Sequence, residues 1–271
     1  MVTPLKTILS IAGSDPTGGA GIQADIRAGN SLGLHVSTVL TAVTAQNSYG
    51  VFNLGVVKSE LVEEQLSAVF EVVRPDAIKI GMTGSVQNLL AIVSFLKKNA
   101  SDIPIVTDPV LKASADGKTL VNDDNLEKLL EAYRGHLFPI STAVTPNWEE
   151  LKLLSGLEPL SMLELKRAAK KINVSNLILT GFEINKDVIT DLFVGEYMLM
   201  EKPKHKLNCQ NLHGTGCTFS TLMAAYLALG DPIHIAFSKA SEKMEEIISK
   251  SCGYKFGNSN YGPLNVNNYT L

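Results

Sequence analysis

The chain has 271 residues, with 24 Lys+Arg against 27 Asp+Glu for a net charge of −3, and 45% of its residues are hydrophobic. That apolar fraction, with a mean hydropathy of +0.13, excludes a disordered chain, and a pI near 6.0 leaves no positive field for a nucleic-acid backbone. Small molecules are the expected partners.

Residues 1–7 are short and polar and run into the apolar stretch 8–12, too brief for a signal-peptide core. From there β-rich apolar runs alternate with segments that carry apolar residues at helical spacing. In chain order the pattern predicts strand 7–12, helix 22–32, strand 36–44, helix 61–73, strand 77–80 and helix 86–98. Strand 103–107, helix 125–133, strand 142–145, helix 148–154, helix 163–172 and strand 177–180 complete the alternation. It predicts an α/β fold, a mostly parallel central sheet with helices on both faces. At 187–207 the pattern changes, and 188–194 and 196–200 flank Gly195 as a hairpin at the sheet edge. Helices over 215–229 and 232–250 follow, and the Gly- and Asn-rich tail 253–271 is expected to wrap the surface. No linker or internal repeat interrupts the chain, so residues 1–271 read as a single domain.

Two stretches carry no formal charge, the 30 residues 28–57 and the 24 residues 207–230. Their amides, hydroxyls and glycines would leave polar groups facing lipid, so both are expected in the domain interior, where a ligand pocket is also built. The three cysteines, Cys209, Cys217 and Cys252, cannot pair completely and show no Cys-x-x-Cys spacing, which points to a reducing, cytoplasmic setting without structural zinc. The five histidines form no metal-ligand pair either. Gly117-Lys118-Thr119 lacks the leading glycine of a phosphate loop, because that position is Lys112, and reads as a turn.

Four stretches carry chemistry. Residues 11–21 end a strand in the loop Gly13-Ser14-Asp15-Pro16-Thr17-Gly18-Gly19-Ala20-Gly21, where glycines let a ligand approach backbone N–H groups, and Asp25 follows one turn into the helix. His213-Gly214-Thr215-Gly216-Cys217-Thr218 opens an apolar helix, so its N–H groups make a nest for an anion, and a cysteine there is expected to have a lowered pKa. Thr145-Pro146-Asn147-Trp148-Glu149-Glu150 matches a capping box, and equally offers a carboxylate for magnesium beside phosphates. Asp108 ends a strand, where open α/β sheets place ligand groups.

In this order the motifs resemble the hydroxymethylpyrimidine and phosphomethylpyrimidine kinases of thiamine biosynthesis, within the ribokinase superfamily. The resemblance runs from Thr7 to about Leu264 and also rests on Thr41-Ala42-Val43-Thr44-Ala45-Gln46-Asn47, Lys79-Ile80-Gly81-Met82 and Asp108-Pro109-Val110. It implies an ATP- and Mg²⁺-dependent kinase, a homodimer, that phosphorylates a pyrimidine alcohol and then its monophosphate. Asp25 and Gln46 would hydrogen-bond the pyrimidine, with Gly13, Ala20, Thr44, Met82 and Val110 as walls. Asp108, Asn147 and Glu150 would organise Mg²⁺ and the ATP phosphates, with Thr180 and Gly181 along the nucleotide. Gly214, Thr215 and Gly216 would form the anion hole, and Cys217 stands where the superfamily usually has an aspartate base.

Two features depart from the pattern or leave it open. Many relatives have Lys followed by two glycines where this chain has Thr180-Gly181-Phe182-Glu183, so either another residue, with Lys186 a candidate, serves the phosphates or the rate suffers. Pyridoxal kinases also carry the Gly-Thr-Gly-Cys run, which makes pyridoxine or pyridoxal the alternative substrate.

Overall fold

The computed structural model describes residues 4–111, 123–159, 161–259 and 261–269, and the predicted turn at Gly117-Lys118-Thr119 lies outside them. Nine strands form one sheet in the order β3-β2-β1-β4-β5-β6-β7-β8-β9. They are β1 (Thr7–Ser14), β2 (His35–Asn47), β3 (Gly50–Val56), β4 (Ala77–Ile80), β5 (Ile105–Thr107), β6 (Ala143–Val144), β7 (Asn176–Glu183), β8 (Val188–Gly195) and β9 (Leu199–His205). Strands β2, β1, β4, β5, β6 and β7 run parallel, and β3, β8 and β9 are added antiparallel at the two edges.

The period of two along each strand separates two cores. Leu9 and Ile11 of β1, Ile78 and Ile80 of β4, and Leu177 and Leu179 of β7 face one side. There they meet α2 (Ser59–Val72), α3 (Val86–Asn99), α4 (Asp123–Ala132), α5 (Trp148–Ser155) and α6 (Met162–Lys171). Ile8, Ala77, Val106, Ala143 and Ile178 face the other side, toward α1 (Gly21–Ser31), α7 (Thr215–Ala228) and α8 (Ile233–Ser251). Helix α7 is buried almost all round because it packs between the sheet, α1 and α8. Among the described residues no helix is long and apolar enough to cross a membrane.

Four expectations change. Segment 28–57 does not stay inside: β3 is an edge strand with Phe52 67% exposed, and Val43 on β2 is 53% exposed. Strand β2 extends through Asn47 because β3 gives its last residues an antiparallel partner, with Gln46 opposite Val51 beside a bulge. The hairpin after Gly195 turns over Glu196–Met198, so the strand placed at 196–200 is β9, Leu199–His205. The tail does more than cover surface, since Leu264 and Val266 enter the second core.

Candidate active site

The parallel strands deliver the ends of β1, β4, β5, β6 and β7 to one cleft of about 420 Å³, within the range of about 300–1,000 Å³ common for small-molecule sites. Gly13, Ala20, Thr44, Gln46, Met82, Val110, Asp108, Asn147, Glu150, Thr180, Gly181, Gly214, Thr215, Gly216 and Cys217 all line it. Fifteen of the sixteen candidate residues are therefore together, and the exception is Asp25.

Asp25 lies beneath the cleft floor, fully buried, where α1 faces β4 and α7. Its carboxylate accepts from Lys79 Nζ at 3.0 and 2.9 Å, Ser10 Oγ at 2.5 Å and Thr221 Oγ1 at 2.8 Å. These partners occupy its oxygens, so Asp25 is not a direct ligand for a ring in the cleft. Burial opposes the charge on Lys79, but Asp25, then Cys217 and Asp108, outweigh it and hold the ammonium's pKa above its usual value. Lys79 sits in the otherwise apolar strand 77–80, the one visible sign of this ion pair in the sequence.

Asp15, absent from the expected set, organises the glycine loop. Its Oδ1 accepts from Thr17 N and Oγ1 at 2.9 and 2.8 Å, and its Oδ2 from Ala20 N at 2.9 Å. His213 Nε2 lies 2.7 Å from the same Oδ2 and ties this loop to the anion-hole loop. Burial resists the charge, yet the His213 hydrogen bond, with Ala20 and Thr17, holds Asp15 at about 2. Gly214 stands at φ +87 as N-cap of α7, and a Cβ there would overlap the Gly19 carbonyl. The first-turn N–H groups of α7 receive no side-chain cap. From the other side, His213 N donates to Gly262 O at 3.1 Å and its ring packs 5.5 Å from that of Tyr261.

Cys217 reverses one expectation. The residue is half-buried beside the cleft, and burial of its thiol pushes the pKa up to about 12 against the pull of Lys79. A helix N-terminus lowers a thiol pKa only where desolvation is smaller. Asp108 and Glu150 face the same space: burial raises both, Asp25 adds to the first and Asp108 to the second. Ser220 Oγ donates to Asp108 Oδ2 at 3.3 Å. Asn147 and Glu150 form a true capping box, with Glu150 N to Asn147 Oδ1 at 2.9 Å and Asn147 N to Glu150 Oε2 at 3.0 Å. The box faces the cleft, so capping and ligand binding are compatible here.

Around Thr180 and Gly181 the cation is not Lys186, which is exposed and away from the cleft. Asp191 accepts Gly181 N at 2.9 Å, Lys204 Nζ at 2.5 Å and Ser241 Oγ at 2.6 Å, and Lys204 and Asp191 both line the cleft. Nothing in the apolar alternation of the sequence marks this group, because β9, Leu-Met-Glu-Lys-Pro-Lys-His, shows no alternation of apolar and polar residues.

Residues 15–265 match the sequence profile of phosphomethylpyrimidine kinase. A hydroxymethylpyrimidine/phosphomethylpyrimidine kinase of Bacillus subtilis is 36% identical over 261 residues, 95% of this chain and 93% of that one. Among solved structures, the phosphomethylpyrimidine kinase of Clostridium difficile is similar at a TM-score of 0.74 and 31% identity, covering 89% of this chain and 98% of its own. A pyridoxal kinase of Staphylococcus aureus, in complex with AMP-PCP and pyridoxal, reaches a TM-score of 0.85 at 28% identity, over 98% of this chain and 95% of its own.

Proposed function

The chain belongs to the phosphomethylpyrimidine kinase family, and on that premise we propose that it transfers phosphate from ATP to 4-amino-5-hydroxymethyl-2-methylpyrimidine and then to the monophosphate so formed. The observation that carries this reading is one cleft joining Gln46 to the N-terminus of α7. Thr44 Oγ1 lies 3.3 Å from Gln46 Oε1 and 2.9 Å from the Ser14 carbonyl, which orients the amide for an aminopyrimidine edge. Gly13, Ala20, Met82 and Val110 enclose the ring.

The N–H groups of Gly214 to Cys217 receive the transferring phosphoryl oxygens, and Thr180 and Gly181 flank the nucleotide. Phosphoryl transfer depends on alignment and charge neutralisation more than on a strong base, so a protonated Cys217 is compatible with turnover. The second acceptor is a phosphate monoester that needs no base, which lets one site serve both steps. Asp108 and Glu150 fit Mg²⁺, which takes one or two carboxylates and completes its shell with water and phosphate oxygens. Bound there, the ion supplies neutralising charge to the phosphates.

The rival reading, a pyridoxal kinase, is favoured by the likeness to the Staphylococcus aureus enzyme. Product masses with Mg-ATP decide between them. Two successive phosphate additions to the pyrimidine, with pyridoxal much slower, are expected; a single addition favouring pyridoxal overturns the assignment. We place the enzyme in the cytosol, in keeping with its three free cysteines, and assign it a homodimer through the apolar residues Val43, Phe52 and Val56 exposed on β2 and β3. Sedimentation should give a dimer, and Phe52→Glu a monomer; a wild-type monomer refutes the interface.

A further inference from the structure

Two of the three cysteines meet in the fold although they are far apart in sequence. Cys209 lies in the segment 206–214 between β9 and α7, and Cys252 follows the last residue of α8. Both thiols donate to the Ile248 carbonyl, Cys209 Sγ at 3.7 Å and Cys252 Sγ at 3.1 Å, so the two sulfurs converge on one oxygen. The seam between these segments is fixed independently of the thiols, because Asn211 Nδ2 donates to the carbonyls of Ser251 and Tyr254 at 2.7 Å each. The two cysteine-bearing segments are thereby held side by side. Cys252 is exposed and Cys209 half-buried, whereas Leu207, Leu212 and Ile248 of the same seam line the cleft.

We propose that Cys209 and Cys252 are a dithiol site that reacts with small-molecule disulfides and closes to an intramolecular disulfide, bracing this wall of the cleft and leaving Cys217 untouched. The exposed Cys252, as thiolate, attacks one sulfur of the small disulfide and releases one small thiol, leaving a mixed disulfide. Cys209 then attacks the Cys252 sulfur and releases the second. One small disulfide is reduced to two thiols, two protein thiols are oxidised, and the two protons end on the released thiols. Burial, then the neighbouring Cys209, push the Cys252 thiol up to about 12, so exchange is slow at neutral pH. Cys209 is the ionisable neighbour of Cys252, and Tyr254 lies beside Cys209.

The test does not depend on the kinase assignment, since its readouts are mass and melting temperature. The full chain is incubated with oxidised glutathione at about pH 8.5, where thiolate is more abundant, then analysed by intact mass, peptide mapping and thermal unfolding. The expected product has lost two hydrogens, yields a Cys209–Cys252 cross-linked peptide, and keeps Cys217 open to alkylation. Its Tm is raised by about 5 °C, dithiothreitol reverses the change, and phosphoryl transfer persists. Cys252→Ser, at an exposed position, should turn over ATP as before and form no cross-link; Cys209→Ser should retain a glutathione adduct on Cys252. A wild-type chain that stays reduced, stops at the mixed disulfide, cross-links through Cys217 or melts lower when oxidised overturns the proposal.

Discussion

At position 79 a lysine interrupts a buried apolar strand, and its ammonium is paired with the carboxylate of Asp25. Removing one partner of such a pair costs about 3–5 kcal/mol because the other charge is left buried. Asp25→Ala should therefore lower Tm steeply while leaving the pyrimidine KM of the surviving fold close to wild type. Gln46→Ala should do the reverse, raising that KM at nearly constant Tm; a KM effect from Asp25→Ala with Tm unchanged would put the carboxylate back in contact with substrate. Cys217→Ala should slow both phosphoryl transfers by similar factors, because a thiol held up to about 12 is a poor proton acceptor. A loss confined to the first transfer would restore the base role. The residue types at the site were legible in the sequence because each lies beside a strand end or helix start. The burial of Asp25 and the raised Cys217 thiol were not, since both follow from neighbours distant in the chain.

The element that concentrates the chemistry is α7, whose N-terminus points into the cleft. Gly214→Ala would force a Cβ against the Gly19 carbonyl at a positive φ, parting the two loops that Asp15 and His213 join. Loss of an aligned anion-hole donor typically lowers kcat about 10²–10³-fold. A loss of that order in Gly214→Ala, with ATP still bound, is expected, and wild-type kcat would show that the loops need not touch. Helix and strand periods gave the parallel core and its helices correctly. They did not give β3, because the uncharged run 28–57 carries a Val-Phe-Asn-Leu alternation at an edge, where sequence polarity no longer distinguishes inside from outside.

Across the whole molecule, acid should loosen the closure between the glycine loop and α7 first. Asp15 falls from the usual 3.8 to about 2 on folding, so its contribution is fully present above about pH 4 and disappears as pH drops through about 2. It amounts to about 2 kcal/mol. Asp15→Asn should flatten that part of the stability profile between pH 4 and 2, and an unchanged acid limb would remove Asp15 from the account. The fold class follows from strand and helix order, whereas the docking of the tail does not, since 253–269 carries no periodic pattern. That docking has a consequence during synthesis. Gly262 and Tyr261 hold the His213 loop, and Leu264 and Val266 fill the second core, so a nascent chain still lacking residues 261–266 would expose an incomplete cleft at the ribosome. The cleft would be complete only once residues 261–266 had followed every strand of the sheet out of the ribosome.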